Sequence, residues 1–256
     1  MIEACSKRCS NLVKFLLSHG ADVNAKCSRG RTCLGSAIGS GSEELITLLI
    51  DSGADVNELT VGNYYFSCRN STALALACER GHLSAVELLL ARGADINLGD
   101  MSPLTAACST GTVGKAALAQ LKLIKLLLAN GADINKVSKE GQAGRNPLMT
   151  AVTTPNNRKM ITLLLDYGAD INYEHQGQCP LSLAERTNIK LLLENGADLF
   201  REDGVTRSVQ APVVERGLYP SFHPSPLISE PRMIALARRY QESNKRANRL
   251  LKPILK

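Results

Sequence analysis

The sequence predicts an all-α protein: a solenoid of stacked helix-turn-helix units over residues 1–200, followed by a separate basic amphipathic helix. Three observations carry this. The string Gly-Ala-Asp recurs six times, at Gly20, Gly53, Gly93, Gly131, Gly168 and Gly196. A second motif, a capped helix start, recurs between these marks. The composition, rich in Ala, Leu and Gly, only 4% aromatic and without Trp, suits small close-packed helices better than a β-sandwich.

Each Gly-Ala-Asp mark reads as a helix end. Five copies continue as Val-Asn or Ile-Asn and finish at Asn24, Asn57, Asn97, Asn135 and Asn172. Five residues before each Gly stands an apolar anchor: Phe15, Leu48, Leu88, Leu126, Leu163 and Leu191. An apolar cluster that stops two residues before a Gly is the pattern of a helix closed by a left-handed cap. The second motif opens at Thr32, Thr72, Ser102, Asn146 and Cys179, with Leu two residues later and Ala five residues later. All but Cys179 carry a side-chain oxygen suited to an orphan amide. Three openers are followed by Pro103, Pro147 and Pro180, the residue preferred at a first helical position. The Leu faces a core, and the Ala keeps that face thin enough for a neighbouring helix.

This double pattern resembles the ankyrin repeat, and the resemblance covers roughly residues 1–200. The Gly marks are spaced 33, 40, 38, 37 and 28 residues apart, and the first interval equals the ankyrin period. The implied array has a truncated first unit (1–24), then repeats 25–57, 58–97, 98–135, 136–172 and 173–200. The family's Thr-Pro-Leu-His tetrad is present only in part. Its His position holds Gly35, Ala75, Thr105, Met149 and Ser182, so somewhat looser repeats are expected.

Function in such an array sits where one unit departs from the rest. The link from Asn24 to Thr32 advances 8 residues, whereas that from Asn57 to Thr72 advances 15 and contains Tyr64-Tyr65-Phe66 and Arg69. The resemblance makes this connection a β-turn finger beside the concave binding face. Exposed aromatics on a loop anchor interfaces; alternatively, the rings fold back as a local minicore. Tyr173 and His175 extend the aromatic theme to the last finger. In the fifth finger, Lys136 to Arg145 reads as a solvated loop. In the fourth unit, Leu126 lies 22 residues after Leu104, where units two and three have 14. The extra residues, Lys115-Ala-Ala-Leu-Ala-Gln-Leu, form helix readily, so the second helix is expected to be lengthened at its start.

The charge balance divides the chain. Residues 1–200 hold 19 Lys+Arg against 19 Asp+Glu, and residues 201–256 hold 11 against 5. The whole excess of +6 therefore lies in the tail, as do six of the ten prolines. Residues 201–230 read as a Pro-containing connector or a degenerate half-repeat. Residues 231–256 read as the basic amphipathic helix, opened by Ser229-Glu-Pro231. Met233, Leu236, Ala237, Tyr240, Ala247 and Leu251 fall on one side, while Arg238, Arg239, Lys245, Arg246, Arg249 and Lys252 fall on the other. Three roles fit this helix: capping the solenoid end, binding an acidic protein or nucleic acid, or lying on an anionic membrane surface.

Chemistry finds no footing. Gly111-Thr-Val-Gly114-Lys115 resembles a phosphate-binding loop, but Ser109 and Ala116 occupy positions where that loop needs Gly and a Ser or Thr. No GxSxG, HExxH or CxxC occurs, and the four histidines stand at no metal-ligand spacing. No enzymatic activity, cofactor or metal is expected. Eight cysteines without an apolar leader point to a reducing, intracellular compartment, cytoplasmic or nuclear. The expected role is that of a protein-protein interaction module, monomeric alone, binding through fingers and first helices. The family resemblance also admits an effector delivered into a host cell by an intracellular bacterium.

Overall fold

The computed structural model describes residues 1–60, 71–109, 115–138 and 144–198, with the side chains of residues 115–117 left aside. Residues Tyr64, Tyr65, Phe66 and Arg69, the Gly111–Lys115 loop, the connector and the entire basic helix with Arg238, Arg239, Lys245, Arg246, Arg249 and Lys252 lie outside what is described of fold or side chain. Regular structure among the described residues is helical, accompanied by two isolated antiparallel bridges.

The chain divides into two compact units, Met1–Pro147 and Leu148–Lys256. The first holds four helix pairs: α1 (Ile2–Ser6) with α2 (Ser10–Ser18), α3 (Cys33–Ser40) with α4 (Glu43–Asp51), α5 (Ala73–Glu79) with α6 (Leu83–Ala91), and α7 (Pro103–Ser109) with α8 (Lys115–Ala129). First helices stack on first helices (α1 on α3, α3 on α5, α5 on α7), and second helices likewise (α2 on α4, α4 on α6, α6 on α8). The second unit holds α9 (Pro147–Ala151) with α10 (Arg158–Asp166), and α11 (Pro180–Leu183) with α12 (Arg186–Glu194).

The core follows the second motif. Leu34, Leu74, Leu104, Leu148 and Leu181 are buried, as are Ala37, Ala77, Ala107, Ala151 and Ala184. The openers cap as their chemistry requires: Thr32, Thr72 and Ser102 hydroxyls accept the amides of Gly35, Ala75 and Thr105 at 3.0, 3.1 and 3.1 Å. Cys179 caps too, its Sγ accepting from the Ser182 amide at 3.4 Å while Ser182 Oγ accepts from the Cys179 amide at 2.9 Å. A soft acceptor is adequate there because the hydroxyl supplies the reciprocal bond.

Four of the six anchors, Leu48, Leu88, Leu126 and Leu163, stand one place off the core register, while Leu191 is itself buried. Phe15 is 57% exposed and Leu48, Leu88, Leu126 and Leu163 are half-buried, whereas the next residues Leu49, Leu89, Leu127, Leu164 and Leu192 are fully buried. The reason lies in the cap. The carbonyls of Leu49, Leu89, Leu127, Leu164 and Leu192 accept the amides of Ala54, Ala94, Ala132, Ala169 and Ala197, and each of these alanines is itself buried. All six Gly marks adopt φ between 81° and 93°. At Gly20, Gly53, Gly93, Gly131 and Gly168 a Cβ would meet nothing within 4 Å, so the requirement is conformational rather than steric.

Helix α8 has 15 residues where α2, α4, α6, α10 and α12 have nine, so the lengthened fourth unit is present as its sequence indicates. The added turns displace a recurring bond. In the first three units the residue before the second helix (Cys9, Ser42 or His82) donates its amide to the carbonyl of the small residue Ala4, Ala37 or Ala77. In α8 the corresponding residue, Gln120, is inside the helix. Its buried side-chain amide donates to the Ala107 carbonyl instead. The Asn157 side chain does the same for Ala151 at 3.0 Å.

Candidate functional site

The edge that carries the fingers is built by the Asp and Asn of each mark. The Asp carboxylate accepts the amide two residues on: Asp22 from Asn24, Asp55 from Asn57, Asp95 from Asn97, Asp133 from Asn135 and Asp170 from Asn172, all at 2.8–2.9 Å. This closes an Asx turn. The Asn side chain then acts as a bridging peptide group. Asn24 donates to the Gly53 carbonyl at 3.2 Å and accepts the Asp55 amide at 2.8 Å. Asn57 does so to Gly93 and Asp95 (3.2 and 2.7 Å), and Asn97 to Gly131 and Asp133 (3.1 and 2.9 Å). In the second unit Asn172 bridges to Gly196 and Asp198 (3.4 and 2.8 Å). Each rung spans two repeats and sets the spacing of finger bases within its unit.

The fingers leave this ladder through paired stems. Cys27 donates to the Arg31 carbonyl at 3.1 Å, and Ser138 to that of Arg145 at 2.9 Å. His175 and Gln178 pair reciprocally at 2.9 Å around Gln176 (φ 49°) and Gly177 (φ 75°), a two-residue turn with both central residues left-handed. The third finger has a reciprocal stem that is also buried. Thr60 and Ser71 exchange both backbone bonds, at 2.8 and 2.9 Å, and are 2% and 3% exposed. The ten residues between them therefore leave and return at a closed, buried base.

Thr60 also explains Gly35. Its Oγ1 accepts the Thr32 amide at 3.1 Å, and a Cβ at Gly35 would come within 3.0 Å of that oxygen. Where the family places a His, the second repeat keeps a hole, and a hydroxyl of the next finger fills it. At the same position, Thr105 Oγ1 and Ser102 Oγ are 2.9 Å apart and hydrogen-bonded.

The sequence-predicted residues divide. Tyr173 and His175 lie in the sixth-repeat finger, Tyr173 half-buried and His175 on the stem, as part of the second unit. Tyr64, Tyr65, Phe66 and Arg69 fall between Thr60 and Ser71. The two groups belong to different units, and the third-finger group lies outside the described residues. Thr60 and Ser71 were not among the predicted residues; their pairing across eleven positions has no local sequence signature. Burial pushes the Cys78 and Cys108 thiols well above their ordinary range; the Cys5 thiol is raised first by its hydrogen bond to Cys33 and then by burial, while that same bond lowers the Cys33 thiol. Among the described residues there is no cluster of metal-ligating side chains and no helix long and apolar enough to cross a membrane.

Comparison with known proteins places this architecture. The family described as ankyrin repeats (3 copies) matches residues 1–60, 58–138 and 114–203. The chain belongs to the ankyrin-repeat family. It is 32% identical over 206 residues to an ankyrin repeat and KH domain-containing protein of Caenorhabditis briggsae, covering 78% of this chain and 7% of that protein. It is 36% identical over 95 residues to human ankyrin repeat and KH domain-containing protein 1, covering 37% of this chain and 4% of that protein. The chain thus spans only a small fraction of these relatives. The crystal structure of the human ASB11 ankyrin repeat domain superposes with a TM-score of 0.63 at 26% identity, covering 83% of this chain and 91% of that one. Ankyrin repeats are in general protein-protein interaction modules.

Proposed function

We propose that this chain is a non-enzymatic binding module that holds a protein partner along the finger edge and first helices of its first unit, with the third finger as the main anchor. The observation that carries the reading is the closed Thr60–Ser71 stem. A buried two-residue pair holds both ends of a ten-residue loop that contains Tyr64, Tyr65, Phe66 and Arg69. A fixed base lowers the ordering cost of presenting large aromatic side chains, which are the side chains that dominate interface energy. Tyr173 and His175 serve as a secondary contact on the second unit. The module works inside the cell, in cytoplasm or nucleus, and is monomeric without its partner. Replacing Tyr64, Tyr65 and Phe66 together by Ser tests the assignment. Binding should fall while the melting temperature holds; a matched loss of stability would instead assign the rings to a local minicore.

A further inference from the structure

We infer that the cleft between α4 and α6 receives an arginine side chain from a partner protein. The cleft opens at the turns that join first to second helices, away from the fingers, so it is a surface separate from the finger site. It exists because of one turn position. Arg8, Gly41 and Gly81 hold the same place in successive repeats, and all three are left-handed, with φ of 58°, 70° and 68°. In the first repeat that place carries a side chain, whose guanidinium donates to the Ser40 carbonyl. At Gly81 the next repeat supplies one, since a Cβ there would lie 3.2 Å from Oε1 of the buried Gln120. At Gly41 an ideal Cβ would meet the His82 ring at 3.1 Å and the Arg8 guanidinium at 3.6 Å, and beside it a cleft of about 480 Å³ stays open.

The lining selects the ligand. Glu43 comes from α4 and Glu87 from α6, Ile46 and Leu83 add apolar surface, and His82 and Ser84 also face the space. The other acids of these two helices' outer side are neutralised: Glu44 pairs with Lys14 at 2.9 Å and Asp51 with Arg92 at 2.6 Å. Glu43 and Glu87 have no ion-pair partner among the described residues. Glu43 instead accepts from the Ser84 hydroxyl through Oε1, which ties the carboxylate to the opposite helix and leaves Oε2 for a ligand. Burial, helped by Arg80 and Arg8 and opposed by Glu43, holds the His82 pKa below its ordinary value. The ring is therefore neutral at pH 7 and does not oppose a cation. Two carboxylates beside apolar surface suit a side chain with an aliphatic stem and a charged head. A planar guanidinium presents five donors, enough for both carboxylates, whereas an ammonium is a compact point charge with three. The volume lies in the range of ligand pockets, so the residues flanking the arginine enter with it.

The test titrates the full chain with the peptide acetyl-Leu-Arg-Leu-amide at millimolar concentration, followed by backbone amide chemical shifts. The same peptide with neutral citrulline in place of arginine is the comparison. Shifts should concentrate at Gly41–Ile46 and Gly81–Glu87, and the citrulline peptide should bind at least tenfold more weakly. Glu43→Gln combined with Glu87→Gln should weaken the arginine peptide tenfold or more at an unchanged melting temperature, because both residues are exposed. Glu44→Gln, outside the cleft lining, should bind as wild type. So should the chain with Tyr64→Ser, Tyr65→Ser and Phe66→Ser, which keeps this result separate from the finger assignment. An absence of shifts in the cleft or equal binding of the two peptides would overturn the inference. A loss from Glu44→Gln as large as that from the paired variant would overturn it as well, leaving only general attraction to an acidic surface.

Discussion

Removing one rung of the asparagine ladder tests the physical account of the array most finely. In Asn97→Ala two bonds disappear, the 3.1 Å donation to the Gly131 carbonyl and the 2.9 Å acceptance from the Asp133 amide. Each is worth about 1 kcal/mol net, and water replaces part of the loss at a half-buried site, so about 1–2 kcal/mol is expected. In an array whose stability is a sum of repeat and interface terms, the whole loss falls on the interface of the third and fourth repeats. For a chain of this size it corresponds to roughly 3–6 °C in melting temperature. Asn97→Asp separates bonding from mere packing. One carboxylate oxygen still accepts the Asp133 amide, but the other faces the Gly131 carbonyl, where a donor stood. Despite its near-identical shape, Asn97→Asp should therefore be at least as destabilising at pH 7 as Asn97→Ala. Urea unfolding of the two variants decides it. A wild-type midpoint for Asn97→Asp would refute the bridging role.

Three further outcomes follow from the core, the last finger and the thiols. Ala107→Asp buries a charge at a fully enclosed position between first helices, so thermal melting should show a loss of several kcal/mol; Glu87→Ala, on the exposed side of α6, should stay within about 0.5 kcal/mol of wild type. Gln176→Asn relieves a left-handed Gln in the sixth-repeat turn and should raise stability by about 0.5–1 kcal/mol, measured by the same melts. A thiol reagent at pH 8 should modify exposed Cys9 within minutes and reach buried Cys78 and Cys108 only in denaturant, as peptide mass mapping would show.

The repeat could be read from the chain because its marks obey local rules. A Gly that must be left-handed, a hydroxyl that caps, and a Leu and Ala on one helical face each leave a fixed residue type at a fixed spacing. The lengthened α8 was legible for the same reason, since the run from Lys115 has strong helix propensity. What escaped was set by contacts between units of the repeat. Gln120 stands where other repeats carry Ser42 or His82 before the helix, and only the added turns give its side chain the Ala107 carbonyl. Gly35 reads as a poor helix residue until Thr60 is seen in the space it leaves. Four of the six apolar anchors stand one residue before the core position because neighbours such as Leu48 and Leu49 are chemically alike, and only the cap geometry tells which faces inward. The Thr60–Ser71 stem pairs two small polar residues with no turn signature, so the length of the insertion was visible but its closed base was not.

The proposal that this protein binds a partner through its third finger stands or falls on Tyr64→Ser, Tyr65→Ser, Phe66→Ser in the full chain, assayed for captured partner and melting temperature on one preparation. The account predicts a melting temperature within a degree or so of wild type and binding weakened by about 2 kcal/mol or more, roughly thirtyfold. Undiminished capture at an unchanged melting temperature would contradict it and remove the finger from the binding surface.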